Sequence, residues 1–355
     1  MISSGEIALI DPVPEKPEKP EKPEEPEKPE EPEKPEEPEP KKIVSLTSIK
    51  DVEYPYYKNY FDLPTIREHF NELKEYKPDV SKKDDNTYIP KLLLMIRLVY
   101  ERDEKYQRLT DFFSEECRIK CNVKDTISPH YYFNENRESI IKSVGLEPNY
   151  HDIDSHLFKY GPKQCTNFPL IVALTLLHHL KPKRWLDPSA GWGDRLISAI
   201  AYGKCEYKGV DPSECMHPIY KKIIDTLSGS EKEKYSLVKG GFEEVDIEKE
   251  HYDLVFTSPP FFDLEDYGKD KDQSIVKYKT LKHWKEGFMY PFLQKSINAL
   301  ETKGHLALYV NDFRGTKYVG DIISFMKTEK RMHFLGNMAW KGDSYPKKIM
   351  IYRKI

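Results

Sequence analysis

The chain has 355 residues, 33% of them charged and 38% hydrophobic, with a formal net charge of −4. That length suffices for one large domain or two smaller ones. The longest apolar stretch, PLIVALTLL at 169–177, is far too short to span a bilayer, and the opening residues lack the basic start and apolar core of a secretion signal, so a soluble intracellular protein without a membrane partner is expected, in cytoplasm, nucleoid or nucleus.

The first 43 residues stand apart. Proline recurs at every third position from Pro14 to Pro38, with Glu and Lys between. Proline fixes φ and removes an amide donor, so this tract predicts a solvated polyproline II rod that buries no apolar surface. A spacer or solubility tail is the ordinary use of such a rod, and a docking site for a proline-reading partner is the other. Residues 1–40 carry 14 acidic and 5 basic side chains; taken from the chain's 60 and 56, these leave 46 acidic and 51 basic in the remainder. A mildly basic body is compatible with a polyanionic partner.

Residues 44–150 read as a mostly helical accessory region. Helical spacing of apolar residues runs over 63–76 and 89–109, 112–121 suggests a third helix, and a Pro- and aromatic-containing piece follows at 127–144. Tyr131, Tyr132 and Phe133 in that piece would pack in a core or stack on bases. The five cysteines, Cys117, Cys121, Cys165, Cys205 and Cys215, are scattered and lack paired zinc-type spacing, which predicts reduced thiols and no metal site.

From 151 to 355 the pattern becomes one of alternating strands and helices. Strands are predicted at 184–187, 207–211, 235–240, 252–256 and 305–310, helices at 168–180, 195–203 and 217–227, and a closing hairpin at 332–340 and 347–354. This predicts an α/β fold: a Rossmann-like, mostly parallel sheet with helices on both faces and a C-terminal antiparallel hairpin. Ligands of such sheets sit beyond the carboxyl ends of the strands, near the reversal in strand order.

Three strand ends carry distinctive residues. In LDPSAGWGDRL (186–196), Gly191 and Gly193 allow a tight turn and close backbone approach, but Leu196 stands where a dinucleotide fingerprint needs its third glycine. Asp211 ends the second strand, where one carboxylate can accept from both hydroxyls of a ribose, or cap a helix. In KGGFEE (239–244), Phe242 could flank an adenine or pack in the core. TSPPF (257–261) makes little sense as an ordinary turn, because two successive prolines delete two donors and stiffen the chain. It does suit a reaction on an exocyclic amine. The Ser258 hydroxyl and a carbonyl of Ser258–Pro259 can accept both N–H groups and aim the nitrogen lone pair, while Phe261 stacks on the extruded base.

LDPSAGWG followed about 70 residues later by TSPPF resembles motifs I and IV of the amino-methyltransferases, which transfer a methyl group from S-adenosylmethionine to adenine N6 or cytosine N4. CTNFPLIVAL (165–174) resembles their motif X, giving the order X, I, IV over roughly 155–355. Ser189 stands where motif I usually has phenylalanine. The resemblance implies that Asp187 and Gly191 hold the methionine portion, with Pro188, Ser189 and Gly193 in the same loop and Thr166 and Asn167 in motif X; that Asp211 holds the ribose; and that Ser258, Pro259, Pro260 and Phe261 hold the amine and base. It further implies a nucleic-acid substrate, with DNA favoured and RNA, including a capped adenosine, as the alternative. A subunit that binds without turnover is a third reading. By family habit a serine opening motif IV leans toward cytosine and an aspartate or asparagine toward adenine, so both targets stay open. Any sequence reader must lie in the lysine-rich 263–288, in 44–150, or in both.

Overall fold

The computed structural model describes residues 52–81, 92–98, 100–145, 150–313, 315–341 and 346–355. The proline tract expected as a polyproline rod lies outside them. The strands are β1 (Val80–Ser81), β2 (Leu92–Ile96), β3 (Asn122–Val123), β4 (Arg184–Asp187), β5 (Glu206–Asp211), β6 (Tyr235–Lys239), β7 (Tyr252–Thr257), β8 (Glu265–Asp266), β9 (Leu300–Tyr309), β10 (Met332–Lys341) and β11 (Pro346–Lys354). The helices are α1 (Leu63–Lys74), α2 (Tyr100–Arg118), α3 (Pro129–Val144), α4 (Tyr150–Tyr160), α5 (Leu170–Leu180), α6 (Asp194–Tyr202), α7 (Met216–Leu227), α8 (Ser274–Lys277), α9 (Leu281–Trp284), α10 (Tyr290–Ala299) and α11 (Val319–Thr328).

Nine strands form one sheet in the order β1-β2-β10-β11-β9-β7-β4-β5-β6. The run β6-β5-β4-β7-β9 is parallel throughout, and β11 is antiparallel to both β9 and β10. The expected mostly parallel sheet with a closing antiparallel hairpin is therefore present. The chain leaves β4 toward β5 and β6, then returns to the other side of β4 as β7, so strand order reverses at β4/β7. Alternation along the strands feeds two cores. Leu254, Phe256, Ala307, Ile349 and Ile351 join the core shared with α5, α6 and α7, whereas Val255, Leu306, Leu308, Met350 and Tyr352 join the core shared with α10 and α11. Helix α5 is apolar nearly all round because it is enclosed, touching α2 as well as α6.

Three expectations need correction. The helix expected over 89–109 is a strand, β2, followed by α2, which also absorbs most of the separate helix expected at 112–121. The run LLLMI fits either period, and parallel pairing of β2 with β10 decides it. The accessory region thus adds β1 and β2 to the sheet edge as well as helices. Of the aromatic trio on α3, Phe133 is wholly buried in a small third core and Tyr131 is exposed. The cysteines are not all reduced: Cys117 of α2 and Cys215, just before α7, form a disulfide across 98 residues of sequence, while Cys121, Cys165 and Cys205 are free and buried. Spacing gives no hint of a pair brought to a Cα separation of 6.1 Å by helix packing alone.

No helix among the described residues is long and apolar enough to cross a membrane.

Candidate functional site

A cavity of about 310 Å³ opens at the carboxyl ends of β4, β5, β6, β7 and β9, where the strand order reverses. It draws its lining from Thr166 and Asn167, from Pro188, Ser189 and Gly191, from Asp211, from Phe242, and from Ser258 through Phe261. Segments almost 100 residues apart are thereby brought to one rim. Two residues expected at the cofactor, Asp187 and Gly193, lie outside the lining.

Asp187 works from behind. Its side chain is fully buried, and its Oδ2 accepts Arg195 Nε at 2.8 Å and the Tyr207 hydroxyl at 2.9 Å, while Oδ1 accepts the Ser189 amide at 3.3 Å. Arg195, itself 4% exposed, reaches on to the Ser189 carbonyl and sits over the Phe168 ring. The aspartate therefore pins the glycine loop. Gly191 takes φ +62° and donates its amide to Asp211 Oδ2 at 2.8 Å, and its carbonyl accepts from the Tyr220 hydroxyl. Gly193 takes φ +90°, a backbone conformation that favours glycine, and a Cβ there would stand 2.7 Å from Ile223 Cδ1 of α7, whose side chain would have to shift.

Asp211 accepts the Gly191 amide on one oxygen and the Ser213 amide, at 2.9 Å, on the other. A carboxylate has about four acceptor positions, so capacity remains toward the cavity. Burial pushes its pKa up to about 6 from an ordinary 3.8, with the two amide bonds and His217 opposing. A raised folded value means that the folded chain takes up a proton between pH 3.8 and 6; this group's contribution to stability is largest in acid and is lost as the pH rises through 6.

At the end of β6, Phe242 lines the cavity but is nearly buried, its ring 5.0 Å from Phe292. The next residue, Glu243, is 4% exposed in its side chain, and its Oε2 has no hydrogen bond among the described residues. Burial raises its pKa. Glu243 shares the cavity lining with Asp211, and nothing local in KGGFEE distinguishes it from the acid that follows.

On the opposite side lie Ser258, Pro259, Pro260 and Phe261. Among the described residues the Ser258 hydroxyl has no hydrogen-bond partner. Phe261 is half-buried and its ring centre is 5.7 Å from that of Tyr309. The segment after this loop is braced by the accessory region. Strand β8 pairs with β3, the Lys124 amide donates to Leu264 O at 2.7 Å, and Lys124 Nζ meets Asp263 Oδ2 at 2.7 Å. Glu265 accepts the Thr166 amide at 3.0 Å and the Tyr267 hydroxyl at 2.5 Å, which ties the motif X region to the same loop. Asn167 is held by Asp111 of α2 at 2.8 Å. Further along, Asp272, Gln273 and Ser274 also reach the lining. Part of the lysine-rich stretch 263–288 thus contributes to the cavity lining.

No family model matches the chain, and no curated protein is similar to it. Among solved structures it is similar to TrmN from Thermus thermophilus, with 15% identity and a TM-score of 0.38 over 53% of this chain and 49% of that one. It is also similar to a methyltransferase from Pyrococcus furiosus, with 14% identity and a TM-score of 0.35 over 62% and 98%, and to the tRNA (m1A58) methyltransferase TrmI from Aquifex aeolicus, with 10% and 0.36 over 54% and 70%. The chain spans about half the length of the first of these.

Proposed function

We propose that the chain is an S-adenosylmethionine-dependent methyltransferase that modifies an exocyclic amine of a nucleobase in nucleic acid, DNA before RNA. The observation that carries this reading is a single cavity lined both by the glycine loop with Asp211 and by Ser258–Phe261. The preference for DNA, and the choice between cytosine N4 and adenine N6, rest on the resemblance of the motifs.

The residues present fit such a cofactor. Asp211 retains acceptor capacity for a ribose diol, the Glu243 carboxylate lines the cavity with Oε1 3.5 Å from Lys277 Nζ and Oε2 unpartnered among the described residues, and the Gly191 turn brings backbone to the cavity. Thr166, Asn167, Pro188 and Ser189 would close the methionine end. When bound, the cofactor's sulfonium supplies the methyl group. The chain's own work is positional. The Ser258 hydroxyl and a neighbouring carbonyl accept the amine's N–H groups, so the nitrogen lone pair is directed out of conjugation with the ring. Positive charge developing on that nitrogen strengthens both bonds in the transition state. Phe261 supplies a face on which the extruded base rests.

Purified chain incubated with methyl-labelled S-adenosylmethionine and duplex DNA, single-stranded DNA or RNA should transfer label to DNA, and mass spectrometry of released nucleosides should then give N4-methylcytosine or N6-methyladenine. Label confined to RNA would overturn the DNA preference, and label in none of the three would overturn the reading as a whole.

The raised pKa of Asp211 gives a separate expectation. A diol needs the ionised carboxylate, so cofactor affinity measured by calorimetry should fall as the pH drops through about 6. Asp211→Asn should bind about tenfold more weakly at neutral pH, the loss of one charge-assisted bond, with that pH dependence removed. An unchanged pH profile in the variant would take Asp211 out of the site.

A further inference from the structure

We propose that the part of the cavity lined by Phe261, Tyr309, Trp340 and Lys347 is a nucleotide subsite in which Tyr309 extends the aromatic wall beside Phe261 and Lys347 contacts a phosphate of the strand carrying the acceptor base. This rests on the reading given under Proposed function and assigns two further residues, Tyr309 and Lys347, to holding the nucleic-acid strand that the reading requires.

Tyr309 is the last residue of β9, and Phe261 lies in the loop that follows the neighbouring strand β7. Their ring planes are inclined by 58° at a centroid separation of 5.7 Å, a tilted contact pair whose rings together make one aromatic surface on the cavity wall. Both rings are half-buried and both line the cavity. Tyr309 is held in place from behind by two buried rings, Phe168 at 5.6 Å and Trp340 at 5.2 Å, and its hydroxyl accepts from Asn311 Nδ2 at 2.7 Å. A fixed aromatic face on the wall of a cavity whose lining mixes apolar and polar side chains suits a flat heterocycle, since every base offers a π-face.

Charge chooses among flat or cationic acceptors. Lys347 lies directly across the β10–β11 ladder from Trp340, so its position along the wall is set by strand register. It lines the cavity, is exposed, and has no ion-pair or hydrogen-bond partner among the described residues. Arg195, the other cation of the lining, is committed to Asp187 and Ser189. An aromatic wall alone would also accept an ammonium group. The lining also holds Asp194, Asp211, Glu243, Glu265 and Asp272, all on other segments than β10 and β11; beside Trp340 the lining charge is the Lys347 cation, which disfavours an ammonium guest at that edge and attracts an anion, the combination that a nucleotide presents.

The test is fluorescence anisotropy of a fluorescein-labelled 12-nucleotide single strand, as DNA and as RNA, titrated with the full chain over a range of salt concentrations. Losing one phosphate contact on a single strand should lower the slope of log affinity against log salt by about 0.7. Lys347→Ala should show that loss together with a several-fold weaker affinity, and Lys347→Arg should restore both. Tyr309→Leu should weaken binding about tenfold with the salt slope kept, and Tyr309→Phe should bind as the parent does. A Lys347→Ala variant with parental affinity and slope, in a parent chain that transfers label, would overturn this inference and leave the methyltransferase reading intact. A parent chain that neither binds the strand nor labels any nucleic acid would overturn both.

Discussion

Ser258→Ala is expected to lower single-turnover methyl transfer by about 10²-fold while leaving the affinity for S-adenosylmethionine close to that of the parent chain. The physical reason lies in when the contact matters. An aromatic amine is a poor nucleophile because its lone pair is shared with the ring, and an acceptor that holds an N–H out of plane gains strength as the nitrogen becomes positively charged. Removing a preorganised group of this kind costs about 10²- to 10³-fold in rate. The Ser258 hydroxyl lines the cavity and has no hydrogen-bond partner among the described residues, so the alanine variant leaves no protein group unsatisfied and should fold normally. Rapid-quench measurement of label transfer, with calorimetry of cofactor binding as the control, separates the two effects. Transfer within threefold of the parent would mean that another group holds the amine.

The second large effect is on the fold. Asp187→Ala should destabilise the chain by about 3–5 kcal/mol, because it leaves the buried guanidinium of Arg195 without its carboxylate. That is a large fraction of the 5–15 kcal/mol by which domains are ordinarily stable. The Tyr207 hydroxyl and the Ser189 amide lose their acceptor in the same step. Urea unfolding should show a lowered midpoint, and cofactor binding should weaken along with it as the loop around Gly191 loosens. The alternative drawn from motif resemblance, direct contact between Asp187 and the cofactor, gives a different pattern: affinity lost and the unfolding midpoint kept.

Much of the sheet was legible because buried parallel strands read as short apolar runs with turn residues at their ends, as in RWLD, YDLVF and HLALYV. The same signal was ambiguous in LLLMI, which is β2, since nothing local distinguishes a five-residue buried strand from a turn of buried helix. Of the residues expected at a site on the loops at 186–196 and 257–261, Pro188, Ser189, Gly191 and Ser258 to Phe261 line the cavity and Asp187 and Gly193 do not; unusual residue types mark unusual backbone there, Gly191 at positive φ and two prolines in succession. Glu243, Tyr309, Trp340 and Lys347 could not be named that way. An acid, two strand aromatics and a lysine are unremarkable residue types, and only their arrival at one cavity gives them meaning.

Local chain chemistry alone determined where strands end, where the backbone must turn sharply and which loop is rich in acceptors and poor in donors, because φ preferences, side-chain period and missing amides act within a few residues. Tertiary packing decided the rest. It set β2 against β10, joined Cys117 to Cys215, paired Asp187, expected at the methionine portion of a cofactor, with the buried Arg195, and brought the Tyr309 ring against Phe261. Those outcomes depend on the sum of many weak contacts between segments far apart in the chain, and such a sum leaves no mark on any one short stretch of sequence.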